Sequence, residues 1–263
     1  VTWTKLEIRA AEVDFLEVAD QGKTLTRLNE LRKQQATELI DLTRQSLGDA
    51  GIFTTGSAEL TSDQDGATVT ARGVESPSRF ALMKRVALAA DFDVQVDFEI
   101  LRLDPCFLRQ PSNEVELQER MESPEIFDPK TEGLRIYQAT IILRHSENGR
   151  LDLTSRVVGL GRGDKTIYLP IRSVPVKMPN QYRIAQHDQT LYFLYSEKGS
   201  PESRIIASYP LQRPLKASGV NLWTIASRDG RVATTCWKRV LIRGANLRER
   251  ELFQRIPTQP SPR

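Results

Sequence analysis

The sequence predicts a mostly β fold, an antiparallel sandwich or barrel preceded by one amphipathic helix. Two observations lead to this prediction: the period of the apolar residues changes from near 3.6 to 2 after Gly51, and short turn sequences separate the segments that follow. The period of 2 is clearest at residues 92–100, where polar residues alternate with Phe92, Val94, Val96, Phe98 and Ile100. Such alternation gives a strand one buried and one solvent-facing side. Many short strands joined by tight turns are typical of antiparallel sheets.

The helix is predicted at residues 23–47. Its apolar residues recur mostly three or four apart with charged residues between them, and they are Leu25, Leu28, Leu31, Leu39, Leu42 and Leu47. Gly48 follows where a C-terminal cap is expected. We expect residues 1–50 to form a helical extension. The helix could lie on the side of this domain, join it to a neighbouring domain, or form a partner-binding coiled coil.

Strands and turns are predicted along the rest of the chain. Eight further strands are expected at residues 134–144, 151–158, 166–171, 181–185, 190–195, 204–209, 220–226 and 232–242. Hairpin turns are expected at Asn148-Gly149, at residues 187–189 and at Asp229-Gly230, because these residue types adopt the backbone angles that tight turns require. Together these elements predict a β-sandwich domain at residues 51–250.

Two segments of this region are predicted to lie outside the regular strand pattern. Residues 104–133 contain four prolines and a run of glutamates, and they predict an acidic surface insertion with a short helix at residues 113–121. The proline-rich residues 256–263 predict a flexible tail.

Composition excludes several classes of protein. The chain has 263 residues with 37 basic and 34 acidic side chains, a net charge of +3. A balance so near zero disfavours a dedicated nucleic-acid-binding protein, which needs a large excess of Lys and Arg. Hydrophobic residues make up 39%, which is sufficient for a folded core. No apolar stretch approaches the roughly 18 residues of a membrane span, so none is predicted.

Cysteines and histidines are too few for a typical structural metal site. The chain contains Cys106, Cys236, His145 and His187, and none of them forms the closely spaced pairs that zinc sites use. We therefore expect no metal and no cofactor. The cysteines are either free thiols or one disulfide. Because the chain begins at Val1 and not at an initiator Met, we expect a mature form or a fragment of a larger protein. This start leaves the location open, and an extracytoplasmic or cell-envelope location is the one that we favour.

A row of carboxylates on the 92–100 strand is the first candidate site. Asp91, Asp93, Asp97 and Glu99 all project from one face of the strand, with neighbours in the row about 7 Å apart. Glycosidases use two carboxyl groups about 5–9 Å apart, and Asp97 with Glu99 meets that distance. The alternative is a polar face that only contacts solvent. Tyr137, Tyr192 and Trp223 lie on predicted strands and supply aromatic surfaces on which sugars stack, although a role in the core is the alternative for each.

Three segments resemble the concanavalin-A-like lectin and glucanase superfamily. They are residues 90–98 (ADFDVQVDF), residues 182–196 with the hairpin YRIAQHDQTLYFLYS, and the closing strands near residues 220–222 and 240–242. The resemblance covers roughly residues 52–245. Within this LamG-like superfamily, the chain looks most similar to an uncharacterised bacterial domain family, best known from planctomycetes and often found at the end of multidomain proteins.

The resemblance implies a two-sheet jelly-roll sandwich whose concave sheet binds carbohydrate in many members. Glucanases of the superfamily carry a Glu-x-Asp-x-x-Glu signature, and the spacing of Asp93, Asp97 and Glu99 departs from it. We therefore expect a non-catalytic module that binds a glycan or cell-envelope polysaccharide. The alternatives are a glycoside hydrolase using Asp97 and Glu99, and a structural or protein-interaction domain. The expected ligand-binding residues are Asp93, Asp97, Glu99, Tyr137, Tyr192 and Trp223.

Overall fold

The computed structural model describes ten segments of the chain. They are residues 18–42, 51–74, 76–88, 91–105, 111–119, 135–145, 149–160, 166–200, 202–227 and 229–244. One helix in these segments precedes the strands, α1 (Val18–Gln34). The strands are β1 (Ala36–Asp41), β2 (Gly51–Thr55), β3 (Ser57–Ser62), β4 (Ala67–Arg72), β5 (Ser78–Leu88), β6 (Phe92–Leu103), β7 (Ser112–Gln118), β8 (Arg135–His145), β9 (Leu151–Leu160), β10 (Thr166–Tyr168), β11 (Arg172–Val176), β12 (Pro179–His187), β13 (Thr190–Glu197), β14 (Arg204–Pro210), β15 (Ala217–Ala226) and β16 (Val232–Gly244).

The strands form two antiparallel sheets. The first sheet has the order β14-β13-β12-β6-β16-β4-β3, with β1 also paired to β16. The second sheet has the order β10-β9-β8-β7-β15-β5-β2, with β11 also paired to β9. The predicted antiparallel sandwich with an added N-terminal helix is therefore confirmed.

The core lies between the two sheets. β6 contributes Val94, Val96 and Phe98, while β7 contributes Val115 and Leu117. Because side chains alternate along a strand, the residues between these apolar positions point away from the core. Each sheet therefore has an outer face whose residues are set by the strand register.

Trp237 is the largest fully buried side chain of the described residues. It is fully buried, its ring centroid lies 5.7 Å from that of Phe98, and its indole N–H donates a hydrogen bond to the Thr224 hydroxyl at 3.2 Å. Thr224 belongs to β15 and Trp237 to β16, so this bond joins the two sheets.

The predicted helix at residues 23–47 is wrong in its second half. The helix ends at Gln34, and residues 36–41 form β1, which pairs with β16 from Ala36 opposite Gly244 to Asp41 opposite Arg239. The long edge of β16 offers a ladder of backbone hydrogen bonds, and this tertiary pairing overrides the helical spacing of the leucines. Gly48 lies outside the described residues.

The predicted helix at residues 113–121 is also wrong. Residues 112–118 form β7, a central strand of the second sheet between β8 and β15. Val115 and Leu117 face the core. Glu114 and Glu116 alternate with them and therefore face outward. Residues 120–134 and the tail at 256–263 lie outside the described residues.

One predicted hairpin is confirmed and another is wrong. Asp188 and Gln189 join β12 to β13 with φ angles of 47° and 59°, the left-handed angles of a two-residue hairpin turn. Asp229-Gly230 instead connects β15 of the second sheet to β16 of the first. Local turn chemistry predicts a reversal of the chain but does not decide which sheet the next strand joins.

Candidate functional site

The six predicted ligand-binding residues do not lie together. Asp93, Asp97 and Glu99 on β6 and Tyr192 on β13 belong to the first sheet, whereas Tyr137 on β8 and Trp223 on β15 belong to the second. The two outer faces point in opposite directions from the core, so one small ligand cannot contact both groups.

Helix α1 covers part of the first sheet's outer face. Leu28 is buried against Ala185 and Leu194, and Tyr192 packs at the edge of the same apolar cluster. This contact is within the domain itself, so the structure gives no support to a helix that binds a neighbouring domain. It also makes Tyr192 a packing residue for α1.

Asp93 is an ion-pair partner beneath this helix. It is only 3% exposed, and one of its oxygens lies 2.5 Å from Nε of Arg183. Nε of Arg32 and Nη1 of Arg243 each lie 3.7 Å from its other oxygen. The carboxylate row is therefore not uniformly in contact with solvent, because α1 buries Asp93.

Asp97 and Glu99 lie further along β6 and are also paired. Asp97 accepts hydrogen bonds from the amides of Gln95 at 3.0 Å and Gln181 at 2.8 Å. Glu99 binds the ammonium groups of Lys198 at 2.9 Å and Lys238 at 3.1 Å, and these hydrogen bonds lower the pKa of Glu99. A glycosidase acid needs a raised pKa. The environment of Glu99 therefore does not suit the acid of a hydrolytic pair.

The outer face of the second sheet carries a different polar row, which the sequence patterns do not predict. Glu114, Glu116 and Gln118 alternate with core residues along β7 and project from one face, with neighbours about 7 Å apart. Polar and apolar residues alternate at residues 113–118, which is the pattern of a strand. The prolines and glutamates around this segment instead favour a loop with a short helix. Glu119 follows, so the Glu-x-Asp-x-x-Glu spacing occurs here as Glu114, Glu116 and Glu119, with glutamate at the middle position.

Neighbouring strands hold the middle of this row in place. Glu116 accepts hydrogen bonds from the Asn221 amide of β15 at 2.8 Å and from the Gln138 amide of β8. Glu116 and Asn221 are 7% and 6% exposed. Glu119 forms an ion pair with Arg135 at 2.7 Å. The row is therefore an ordered polar network with fixed side-chain directions.

Two aromatic rings adjoin the row. Trp223 lies directly opposite Glu114 in the register of β15 and β7, so both side chains share the outer face. The rings of Trp223 and Phe53 meet edge to face with centroids 5.8 Å apart, and Phe53 is 42% exposed. Tyr137 is half-buried at an irregularity in the β8–β9 pairing. Of the candidate aromatic residues, Trp223 is therefore the one that lies beside this polar row.

Glu114 has a raised pKa. Burial raises the pKa of Glu114, while a hydrogen bond from Ser112 at 2.9 Å and the more distant Arg156, at 4.0 Å, oppose that rise. Because the folded-state pKa lies above the unfolded value, the neutral form favours folding at low pH, and this contribution is lost as pH rises through the folded pKa.

Glu114→Gln is therefore expected to gain stability relative to the unmodified protein between pH 4 and pH 7. Glutamine keeps the neutral hydrogen-bonding group and removes the buried charge. Urea unfolding at several pH values measures the difference in the free energy of unfolding between the variant and the unmodified protein. The difference at pH 4 serves as the reference value. A difference that shrinks as pH rises would contradict the assignment.

One group of described residues has the geometry to hold a metal ion. Ligand atoms of Asp91, His187 and Asp188 all lie within 4.8 Å of one another. His187 Nδ1 lies 2.7 Å from Asp91, and Arg27 pairs with Asp188 at 2.7 Å. The arginine already supplies a positive charge to this group.

Cys236 is a buried free thiol on β16, and burial raises its pKa. This environment suits packing better than nucleophilic chemistry, because the thiolate is the reactive form. Cys106 lies outside the described residues.

Sequence comparison identifies the family. The profile of the family described as "Protein of unknown function (DUF1583) C domain" matches residues 52–257. The chain belongs to the DUF1583 C-domain family. No curated protein matches this DUF1583 C domain. Among the described residues, no helix has the length and apolar character of a membrane span.

Solved structures similar to the DUF1583 C domain include lectin-like domains and a glycan hydrolase. A legume lectin-like domain from Entamoeba histolytica has a TM-score of 0.52 at 11% identity, covering 75% of this chain and 91% of the other. The VIP36 exoplasmic/lumenal domain in a Ca²⁺/Man2-bound form has a TM-score of 0.52 at 9% identity, covering 85% and 92%. A 1,3-alpha-1,4-beta-D-galactose-4-sulfate-3,6-anhydro-D-galactose 4 galactohydrolase has a TM-score of 0.54 at 6% identity, covering 80% and 95%. At these identities the likeness establishes the fold alone.

Proposed function

We propose that the DUF1583 C domain binds carbohydrate, without cleaving it, on the outer face of the second sheet. The observation that carries this proposal is the row Glu114, Glu116 and Gln118 beside the aromatic pair of Trp223 and Phe53. Carboxylates and amides hydrogen-bond sugar hydroxyls, while an aromatic ring packs against the apolar face of a sugar ring. Both features are present here on one face.

Structural relatives support the ligand class. The VIP36 domain is described in a Ca²⁺/Man2-bound form, and the galactohydrolase is named for a galactose 4-sulfate and 3,6-anhydrogalactose substrate. Both share the two-sheet fold with this domain. A glycan or cell-envelope polysaccharide is the ligand class that we propose.

The arrangement of the three carboxylates favours binding over hydrolysis. Two amides hold Glu116 and an arginine holds Glu119, so neither group is unengaged. A retaining mechanism needs a carboxylate nucleophile about 5–5.5 Å from an acid. The raised pKa of Glu114 and the glucanase-like spacing favour hydrolysis as the second candidate.

A glycan and polysaccharide panel tests the proposal. We expect saturable binding to at least one polymer, measured by tryptophan fluorescence and calorimetry on the full chain. Trp223→Ala should weaken that binding at least about tenfold, because it removes the stacking surface beside the polar row. Asp97→Asn is the matched control on the other sheet and should leave the affinity unchanged.

Three results would overturn parts of this proposal. No saturable binding to any glycan or polysaccharide of the panel would contradict carbohydrate binding. Loss of affinity in Asp97→Asn with Trp223→Ala unaffected would move the site to the first sheet. Release of new reducing ends during long incubation, abolished by Glu114→Gln, would establish the hydrolytic candidate.

A further inference from the structure

A polar groove lies between α1 and the outer face of the first sheet. α1 is held there by the buried Leu28 and by Arg183, which donates hydrogen bonds to the Asn29 side chain at 2.8 Å and to the Leu28 carbonyl at 3.3 Å. The groove beside it has a volume of about 830 Å³. Its polar lining includes Asn29, Arg32, Lys33, Gln95, Gln181 and Arg243.

Positive charge exceeds negative charge at one wall of this groove. Arg32, Arg183 and Arg243 converge on the single carboxylate of Asp93. The other charged residues that line the groove are Lys33 and Glu202, one of each sign. Among the described residues of this cluster, two positive charges therefore have no opposite charge of their own.

Two buried polar atoms of the cluster have no hydrogen-bond partner within the described segments. They are Nη1 of Arg243 and Oδ1 of Asp93, which face each other at 3.7 Å, beyond hydrogen-bonding distance. Desolvation, together with repulsion from Arg32, lowers the pKa of the Arg243 guanidinium. An unpaired buried guanidinium N–H is costly, and an anion is the partner that would relieve the cost.

We infer that this groove binds a tetrahedral oxyanion, sulfate or phosphate, carried as an ester on a larger molecule. Guanidinium groups bind such anions through charge-assisted hydrogen bonds in fixed geometry. Arg32, Lys33 and Arg243 supply the charge. The Gln95 and Gln181 amides each donate one N–H to Asp97 and keep a second N–H for an anion. The groove is larger than one oxyanion, so the remaining space suits the group that carries it.

Calorimetry on the full chain in chloride buffer at constant ionic strength tests this site. The probes are inorganic sulfate, inorganic phosphate, glucose 6-sulfate and glucose 6-phosphate, with glucose as the uncharged reference. We expect saturable binding of the anions, with the sulfate and phosphate arms identifying the preferred one. Arg243→Met should weaken binding at least about tenfold, because it removes one charge-assisted contact.

Further variants keep the test decisive. Lys33 is exposed, so Lys33→Met should weaken binding without affecting folding. Arg231→Met removes an arginine paired with Asp229 elsewhere and should change nothing. The inference fails if neither sulfate nor phosphate binds above chloride, or if folded Arg243→Met and Lys33→Met both keep full affinity. Trp223→Ala should bind the anion normally, which separates this site from the proposed glycan face.

Discussion

Asp93→Asn is expected to lower the free energy of unfolding by about 3–5 kcal/mol, the usual cost of removing one partner of a buried ion pair. Arg183 is 1% exposed and its Nε lies 2.5 Å from Asp93. Without the carboxylate, three guanidinium groups remain together with no opposite charge between them. Urea denaturation followed by circular dichroism measures the loss.

Glu99→Gln is the matched control for Asp93→Asn. Glu99 lies on the same strand and the same face, but its partners Lys198 and Lys238 are 66% and 42% exposed. Exposed ion pairs contribute about 0–1 kcal/mol, so the control should lose no more than that. Equal losses in the two variants would mean that α1 does not bury Asp93 in solution.

Trp237→Ala is expected to cost about 3–5 kcal/mol through the cavity that it leaves in the core. The ring is fully buried between the sheets and contacts Phe98. The substitution also leaves the Thr224 hydroxyl, itself buried, without its indole donor. The measurement is the shift of the urea midpoint, with unchanged slope as evidence that the unfolding transition stays the same.

Trp223→Ala provides the contrast for Trp237→Ala. Trp223 lies on an outer face and is only half-buried, so its removal should cost about 1 kcal/mol of stability. The same variant should lose glycan affinity, whereas the core variant should retain it at temperatures where it is folded. A larger loss of stability in Trp223→Ala than in Trp237→Ala would mean that the register of β15 differs from the one described.

These predictions separate the two outer faces of the sandwich. On the first sheet, α1 and the arginines around Asp93 form a structural cluster beside a basic groove. On the second sheet, β7 presents its polar row beside Trp223 and Phe53. We therefore propose that the domain uses one face for neutral sugar contacts and the other for an anionic group.

Local sequence signals predicted much of the fold. The alternation along residues 92–100 predicted β6 with the correct core residues, and the turn at residues 187–189 predicted the β12–β13 hairpin. Both features depend on neighbours in the chain, since side-chain direction alternates within a strand and a tight turn is set by its own backbone angles. The resemblance to the concanavalin-A-like superfamily extended these local features to a two-sheet sandwich.

The candidate sites depended on contacts between distant residues. The alternation along β6 correctly predicts that its polar side faces outward. It does not predict that α1, which carries Arg32 more than sixty residues earlier in the chain, lies over Asp93. By composition, the glutamates of β7 resemble a solvated surface segment. In the structure, β7 pairs with β8 and β15, so these glutamates lie on a central strand of the second sheet. By itself, the sequence determined which residues alternate and where the chain turns, because those properties are local. Which sheet a strand joins, and what covers its outer face, was decided only by tertiary packing, where pairing with distant strands outweighs weak local preferences.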